Sequence, residues 1–219
     1  GFPARYGGRL SSVLEINMKE WNLREWIGEG SLGLISSKLT LSGPIKKDKT
    51  SILISGRRTY ADLIFGPFAR SAAKQDGIDL DLLLYFYDLN AKHQNKINDD
   101  HRLLLSFYGG ADVFNNTFTE EQTTSGGGVN WGNTISALRW NWRINPKLFL
   151  NTTATYSRYN IDIEALATEE DLQFKALYRS GIYDLGGKFD FDFIPNPKHY
   201  LRFCGGITNH VYRPGAVSL

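Results

Sequence analysis

The chain has 219 residues and is poor in the features that mark many functional classes. Its one cysteine, Cys204, excludes an internal disulfide framework and most thiolate metal sites. A lone thiol suits the cytosol or an envelope protein that does without disulfides. Charge of either sign is not in excess: 25 Lys and Arg face 23 Asp and Glu, a net of +2. Nucleic-acid binding, which calls for a basic face, finds no support in that balance. Long apolar runs are absent too; no stretch reaches the ~18 residues of a transmembrane helix. The histidines (His93, His101, His199, His210) are scattered, with no metal-binding spacing. Cys204 and His210 fall on one strand face, but six positions of strand separate them by ~20 Å, too far to share a metal. Neither a metal, a cofactor nor an enzymatic activity is expected.

What the chain has is aromatic side chains (13%) and 22 Gly, with one Met. Such composition favours β structure. A mean hydropathy of −0.32 resembles that of a soluble chain. A transmembrane barrel gives the same average, because only every second strand residue faces lipid.

Period-two alternation recurs along the sequence, and successive strand residues point to opposite faces. In "LISSKLTLS" Ile35, Ser37, Leu39 and Leu41 alternate with Leu34, Ser36, Lys38, Thr40 and Ser42. Tyr85, Tyr87, Leu89 and Ala91 alternate with Phe86, Asp88, Asn90 and Lys92. Leu103, Leu105 and Phe107 alternate with Arg102, Leu104 and Ser106; Leu138, Trp140 and Trp142 with Arg139, Asn141 and Arg143. Tyr183–Phe193 is the cleanest case, and Tyr200–Tyr212 repeats it.

Short polar turns are expected at Gly43–Thr50, Asn95–Arg102, Ile144–Lys147 and Ile194–His199. Longer connections are expected at Gly66–Leu82, Asn115–Asn130 and Ile163–Leu172. This asymmetry, with aromatics gathered before "INPK" and "IPNPKH", is that of outer-membrane barrels with unequal ends and aromatic girdles. A soluble sandwich is the competing architecture; its strands are shorter and its turns come every ~8–12 residues. The fold expected is all-β, an antiparallel meander of about nine strands forming part of a transmembrane β-barrel. Single-chain bacterial barrels have even strand numbers, so an odd count implies a piece of a larger barrel.

The opening run adds a resemblance. "ARYGGRLSSVLEINMK" (Ala4–Lys19) resembles the signature closing the plug domain of TonB-dependent outer-membrane transporters. Tyr6 and Gly7 fit its Tyr-Gly pair; Gly8, Ser11 and Ser12 fit the small positions; Val13, Leu14, Ile16, Asn17 and Lys19 fit the strand. Arg9 and Glu15 depart from the commonest pattern. "GFPARYGGRLSS" looks like the variant of Bacteroidetes members, SusC-like receptors among them. "GEGSLGLISSKLTLSGPI" resembles the family's first barrel hairpin, and "SGRRTYADLI" looks family-typical. The specific part covers roughly the first 65 residues.

The resemblance implies that 1–20 end a plug and 21–219 begin a barrel. It implies active uptake of a nutrient (glycan, peptide, siderophore or similar) across a Gram-negative outer membrane. TonB with ExbB and ExbD would supply the energy, and a SusD-type surface lipoprotein is a partner of SusC-like members. The alternative is a passive porin-like or adhesin-like barrel.

The alternating pattern assigns one polar row to the barrel lumen: Lys38, Lys92, Arg102, Arg139, Arg143, Asp184, Lys188, Asp190 and Arg202. Lys92, Arg102, Arg139, Asp190 and Arg202 are the candidates for contact with a passing solute. Asp190 and Asp192 share a face, but a polar lumen explains them better than a carboxylate pair for catalysis. "GEGSLG" lacks the Lys-Ser/Thr of a phosphate loop and reads as a turn. "SGGGVN" (Ser125–Asn130) reads as a flexible loop end, and Arg57 and Arg58 as lying on opposite strand faces.

Overall fold

A computed structural model describes residues 22–121, 123–169 and 172–218. The plug-like motif residues Tyr6, Gly7, Gly8 and Asn17, and the whole of 1–20, lie outside the described residues. The remainder is a single sheet of nine antiparallel strands in chain order, joined as a meander. The strands are β1 (Ile27–Leu32), β2 (Ser36–Lys46), β3 (Thr50–Thr59), β4 (Asp79–Lys96), β5 (His101–Glu120), β6 (Thr123–Asn145), β7 (Leu148–Glu169), β8 (Leu172–Asn196) and β9 (His199–Ser218). One helix, α1 (Ala61–Gln75), stands between β3 and β4. Among the described residues β1 and β9 each pair with one neighbour, so the sheet is open.

The expected short turns are present, and Asn residues build three of them. Asn98 Oδ1 accepts the N–H of Asp100 (2.9 Å) and of His101 (2.8 Å). Asn145 Oδ1 accepts from Lys147 N (2.9 Å), and Asn196 Oδ1 from Lys198 N (3.1 Å). The repeated Asn-Pro-Lys is therefore a turn with a mechanism: the Asn side chain mimics a backbone acceptor, and Pro presets φ at the next position.

The expected long connections are corrected. Asn115–Asn130 is not a loop: β5 and β6 stay in continuous register from His101↔Trp142 to Glu120↔Thr123. Ile163–Leu172 is likewise mostly the end of β7 and the start of β8, paired as far as Glu169↔Leu172. Gly66–Leu82 holds most of α1 and the start of β4. Gly126–Gly128 is not a flexible loop end; a Cβ on Gly127 would stand 2.8 Å from the Glu164 carbonyl oxygen of the next strand. Glycine is required there because neighbouring backbones come close.

Helix α1 has Asp62 in its first turn and Lys74 in its last, each matching the sign of the nearby dipole end. Its start is tied to the β1–β2 turn: Tyr60 N–H donates to the Ile35 carbonyl (2.9 Å), and the Tyr60 hydroxyl donates to the Gly33 carbonyl. Farther along, Arg70 pairs with Asp81 of β4 at 3.0 Å.

This sheet has no ordinary core. The buried hydrophobic side chains among the described residues are Leu53 and Leu150. Large apolar groups stand in the open, Leu185 at 63% and Ile207 at 79% exposure. Apolar surface of this extent marks a face made for contact with a protein partner, a ligand or a membrane.

Candidate functional site

Residues directly opposite each other on paired strands share a face, so the register sorts the sheet into two faces. Lys38, Arg57 and Asp88 are successive partners across β2, β3 and β4. Lys96, Arg102, Asn141, Asn151, Asp190 and Cys204 form one row from β4 to β9. Tracing every row in this way places all nine residues of the expected polar row on one face. Arg58 falls on the other face, with its guanidinium carbon 5.1 Å from the centre of the Tyr85 ring.

The polar face is cross-linked rather than bare. Arg57 pairs with Asp88 (2.6 Å), Lys188 with Asp190 (3.0 Å), Arg202 with Asp192 (2.6 Å) and His210 with Asp184 (2.7 Å). Asn141 donates to Asn151 across β6 and β7. At the short-turn end Arg143 reaches Asp100 (2.7 Å) and Lys96 reaches Asp99 (2.6 Å). These pairs border a cavity of about 490 Å³ lined also by Arg102, Asn141 and Asn151.

The candidates Lys92, Arg102, Arg139, Asp190 and Arg202 are brought to this face but not to one point. They run from β4 to β9, and five strand spacings amount to ~24 Å. Asp190 and Arg202 are engaged in ion pairs, whereas Arg102 and Arg139 are exposed and lack a carboxylate partner among the described residues. They are spread along a wall of mixed sign rather than gathered in one pocket.

The opposite face is apolar over the short-turn half of the sheet. From β7 to β9 its rows read Leu148, Phe193, Leu201; then Leu150, Phe191, Phe203; then Thr152, Phe189, Gly205; then Ala154, Gly187, Ile207; then Tyr156, Leu185, Asn209. This band covers roughly nine residues of each strand, about 30 Å of chain. Aromatic rings concentrate at its short-turn edge. Trp140 and Trp142 stack at 5.4 Å with His101 against them, and Phe191 stacks on Phe203 at 5.0 Å.

Beyond the band the two faces exchange character. On the face that is polar near the short turns, Leu84, Phe114, Val129, Ile163 and Tyr178 form an unbroken apolar row over five strands. Leu84, Phe86, Phe114 and Trp131 line a cavity of about 240 Å³ there, beside the start of α1. On the reverse face the corresponding positions of β7 and β8 are charged, with Lys175–Glu164 at 2.6 Å and Arg179–Asp162 at 3.7 Å. No bulge interrupts the β5–β6 or β7–β8 registers between the halves, so the exchange lies in the sequence itself. Sequence reasoning missed it although the signal was present: in β7 the apolar residues move from even positions (Leu148, Leu150, Tyr156) to odd ones (Ile161, Ile163).

Among the described residues no group of three or more His, Cys, Asp and Glu could hold a metal ion, and no helix is long and apolar enough to cross a membrane. Comparison with models of known families, and with curated protein sequences, gives no match.

Proposed function

We propose that this chain forms part of the wall of an outer-membrane barrel, and that the barrel is a TonB-dependent nutrient transporter. One observation carries the membrane reading: over the same nine-residue stretch, one face of the sheet is apolar and the other is an ion-paired polar wall. At a strand tilt of ~35–45° such a stretch has the height of the ~25 Å apolar band of a transmembrane barrel. The polar wall would face the lumen, and the aromatic edge would sit at the periplasmic headgroups. The far half of each long strand would stand outside the bilayer, wet on its outer side. Its apolar inner side would line a vestibule over the lumen.

The transporter reading rests on the resemblance of Ala4–Lys19 to a plug-closing signature, together with this wall. Substrate would enter from the vestibule, and TonB with ExbB and ExbD would drive its release past the plug. A SusD-type lipoprotein is the further partner of the SusC-like reading. The experiment is uptake by cells carrying the full-length protein, with and without TonB. Loss of uptake without TonB is the expected result. Unchanged uptake would instead identify a passive barrel.

A further inference from the structure

We infer that the outer edge of the apolar band carries a binding site for the phosphate of a membrane lipid, built from Arg158, Tyr183 and Arg213. The inference rests on the membrane reading above. Arg158 and Tyr183 are directly paired on the apolar face, and Arg213, paired with Gly181, lies diagonally beside the same ring. The guanidinium carbon of Arg158 is 5.3 Å from the Tyr183 ring centre, and that of Arg213 is 4.7 Å from it. Two cations are thus held against one ring, no more than about 10 Å apart.

Neither has a neutralising carboxylate among the described residues. The nearest acidic side chain along this face of β7, Asp162, is engaged with Arg179, and Asp184 lies on the reverse face with His210. The backbone aims Arg213 deliberately. Between the pairs Gly181↔Arg213 and Arg179↔Ala216, β9 carries one residue more than β8. Ser180 Oγ fastens this bulge by donating to the Arg213 carbonyl at 3.1 Å. Bulges of this kind re-aim a side chain.

Position selects the ligand. On the short-turn side of the two guanidiniums lie the exposed Leu185 and Ile207, with the exposed Val211 level with Arg158; on the other side the face turns polar at Asp162, with Asn160 level with Arg213. A ligand that satisfies both zones has an anionic head and alkyl chains running toward the short turns. Guanidinium forks match phosphate oxygens. The ligand class is a phosphorylated lipid of net negative charge in the leaflet next to the long hairpins.

The test uses the full-length protein, inserted into nanodiscs of phosphatidylcholine with and without phosphatidylglycerol, extracted in neutral detergent and assayed for retained lipid by mass spectrometry. Wild type is expected to retain phosphatidylglycerol selectively. Arg158→Gln and Arg213→Gln should each lower retention by about tenfold, the scale of one charge-assisted hydrogen bond. Arg158→Lys, which keeps the charge, should lose less. Inorganic phosphate at equal concentration should not displace the lipid. Undiminished retention by the two Gln variants overturns the inference, as does full displacement by free phosphate, which would mark a site for a soluble anion. Protein that never enters the nanodisc, judged by the absence of heat-dependent gel mobility, removes the membrane reading and the lipid site together.

Discussion

At the residue scale the glycines of this sheet differ in what surrounds them, and two extremes are testable against each other. A Cβ on Gly127 would come 2.8 Å from the Glu164 carbonyl oxygen, and one on Gly126 would come closer still to that of Asn116. These obstacles are backbone atoms of paired strands, so they cannot rotate away. Gly187, in the apolar band, has nothing within 4 Å of where its Cβ would be. Gly127→Ala is therefore expected to destabilise the folded chain by about 1–3 kcal/mol, the usual cost of overpacking. Gly187→Ala should be neutral or stabilising by about 0.5 kcal/mol, since it removes unfolded-state freedom without a clash. Urea titration of the full-length protein refolded into lipid vesicles, followed by tryptophan fluorescence, reads both. Equal effects would mean that close backbone approach does not govern these sites.

At the element scale the turn between β4 and β5 shows how local chemistry pins a hairpin. Asn98 closes it through two backbone N–H groups, and Lys96 pairs with Asp99 at 2.6 Å. The hydrogen bond and the charge of Lys96 hold the Asp99 carboxyl below its ordinary value of 3.8. A carboxylate with a depressed folded pKa stabilises above its unfolded pKa, and the contribution disappears as pH falls through the folded value. Asp99→Asn should therefore weaken the protein slightly at neutral pH and make no difference in acid below the depressed pKa. Stability of the two proteins measured from pH 7 to pH 2 checks this; a difference that persists in acid would rule out the charge as its source. This turn and the two Asn-Pro-Lys turns were legible in the sequence because each carries its own acceptor and backbone restraint. The far hairpin ends were not. Gly, Thr and Asn between Asn115 and Asn130 have the composition of a loop, and cross-strand pairing overrides composition there. Helix α1 was equally hidden: Gly66 and Pro67 sit inside it, and both count against a helix in any local reading. The candidate polar row was legible in full, because strand parity needs only position in the sequence. Its ion pairs were not, since they depend on which strands are neighbours.

At the scale of the whole molecule the governing fact is that each face of the long strands is apolar over one half and polar over the other. A sheet in water gains nothing from an uncovered band of Leu148, Leu150, Leu185, Phe189, Phe191 and Phe203, whereas a sheet in a bilayer requires it. The exchange also sets a boundary along the strand axis, because the face that is apolar near the short turns ceases to be so where Arg158, Asn160, Asp162 and Glu164 follow one another on β7. A charge placed on that face should therefore have a cost that depends on depth. Phe189 lies in the middle row of the band, paired with Thr152 and Gly205. Thr168 lies on the same face near the far hairpin end, paired with Thr124 and Gln173. Phe189→Arg is expected to cost about 2–4 kcal/mol, the figure for Arg at a bilayer midplane, and Thr168→Arg about 0–1 kcal/mol. Both are read by urea unfolding in vesicles, with heat-dependent gel mobility reporting the folded fraction. The loss of stability from Phe189→Lys should be as severe, because the cost arises from a cation in hydrocarbon and not from the shape of the guanidinium. If the Phe189 and Thr168 variants lose equal stability, the apolar band faces something other than lipid, and the assignment of the two faces to lipid and lumen falls with it.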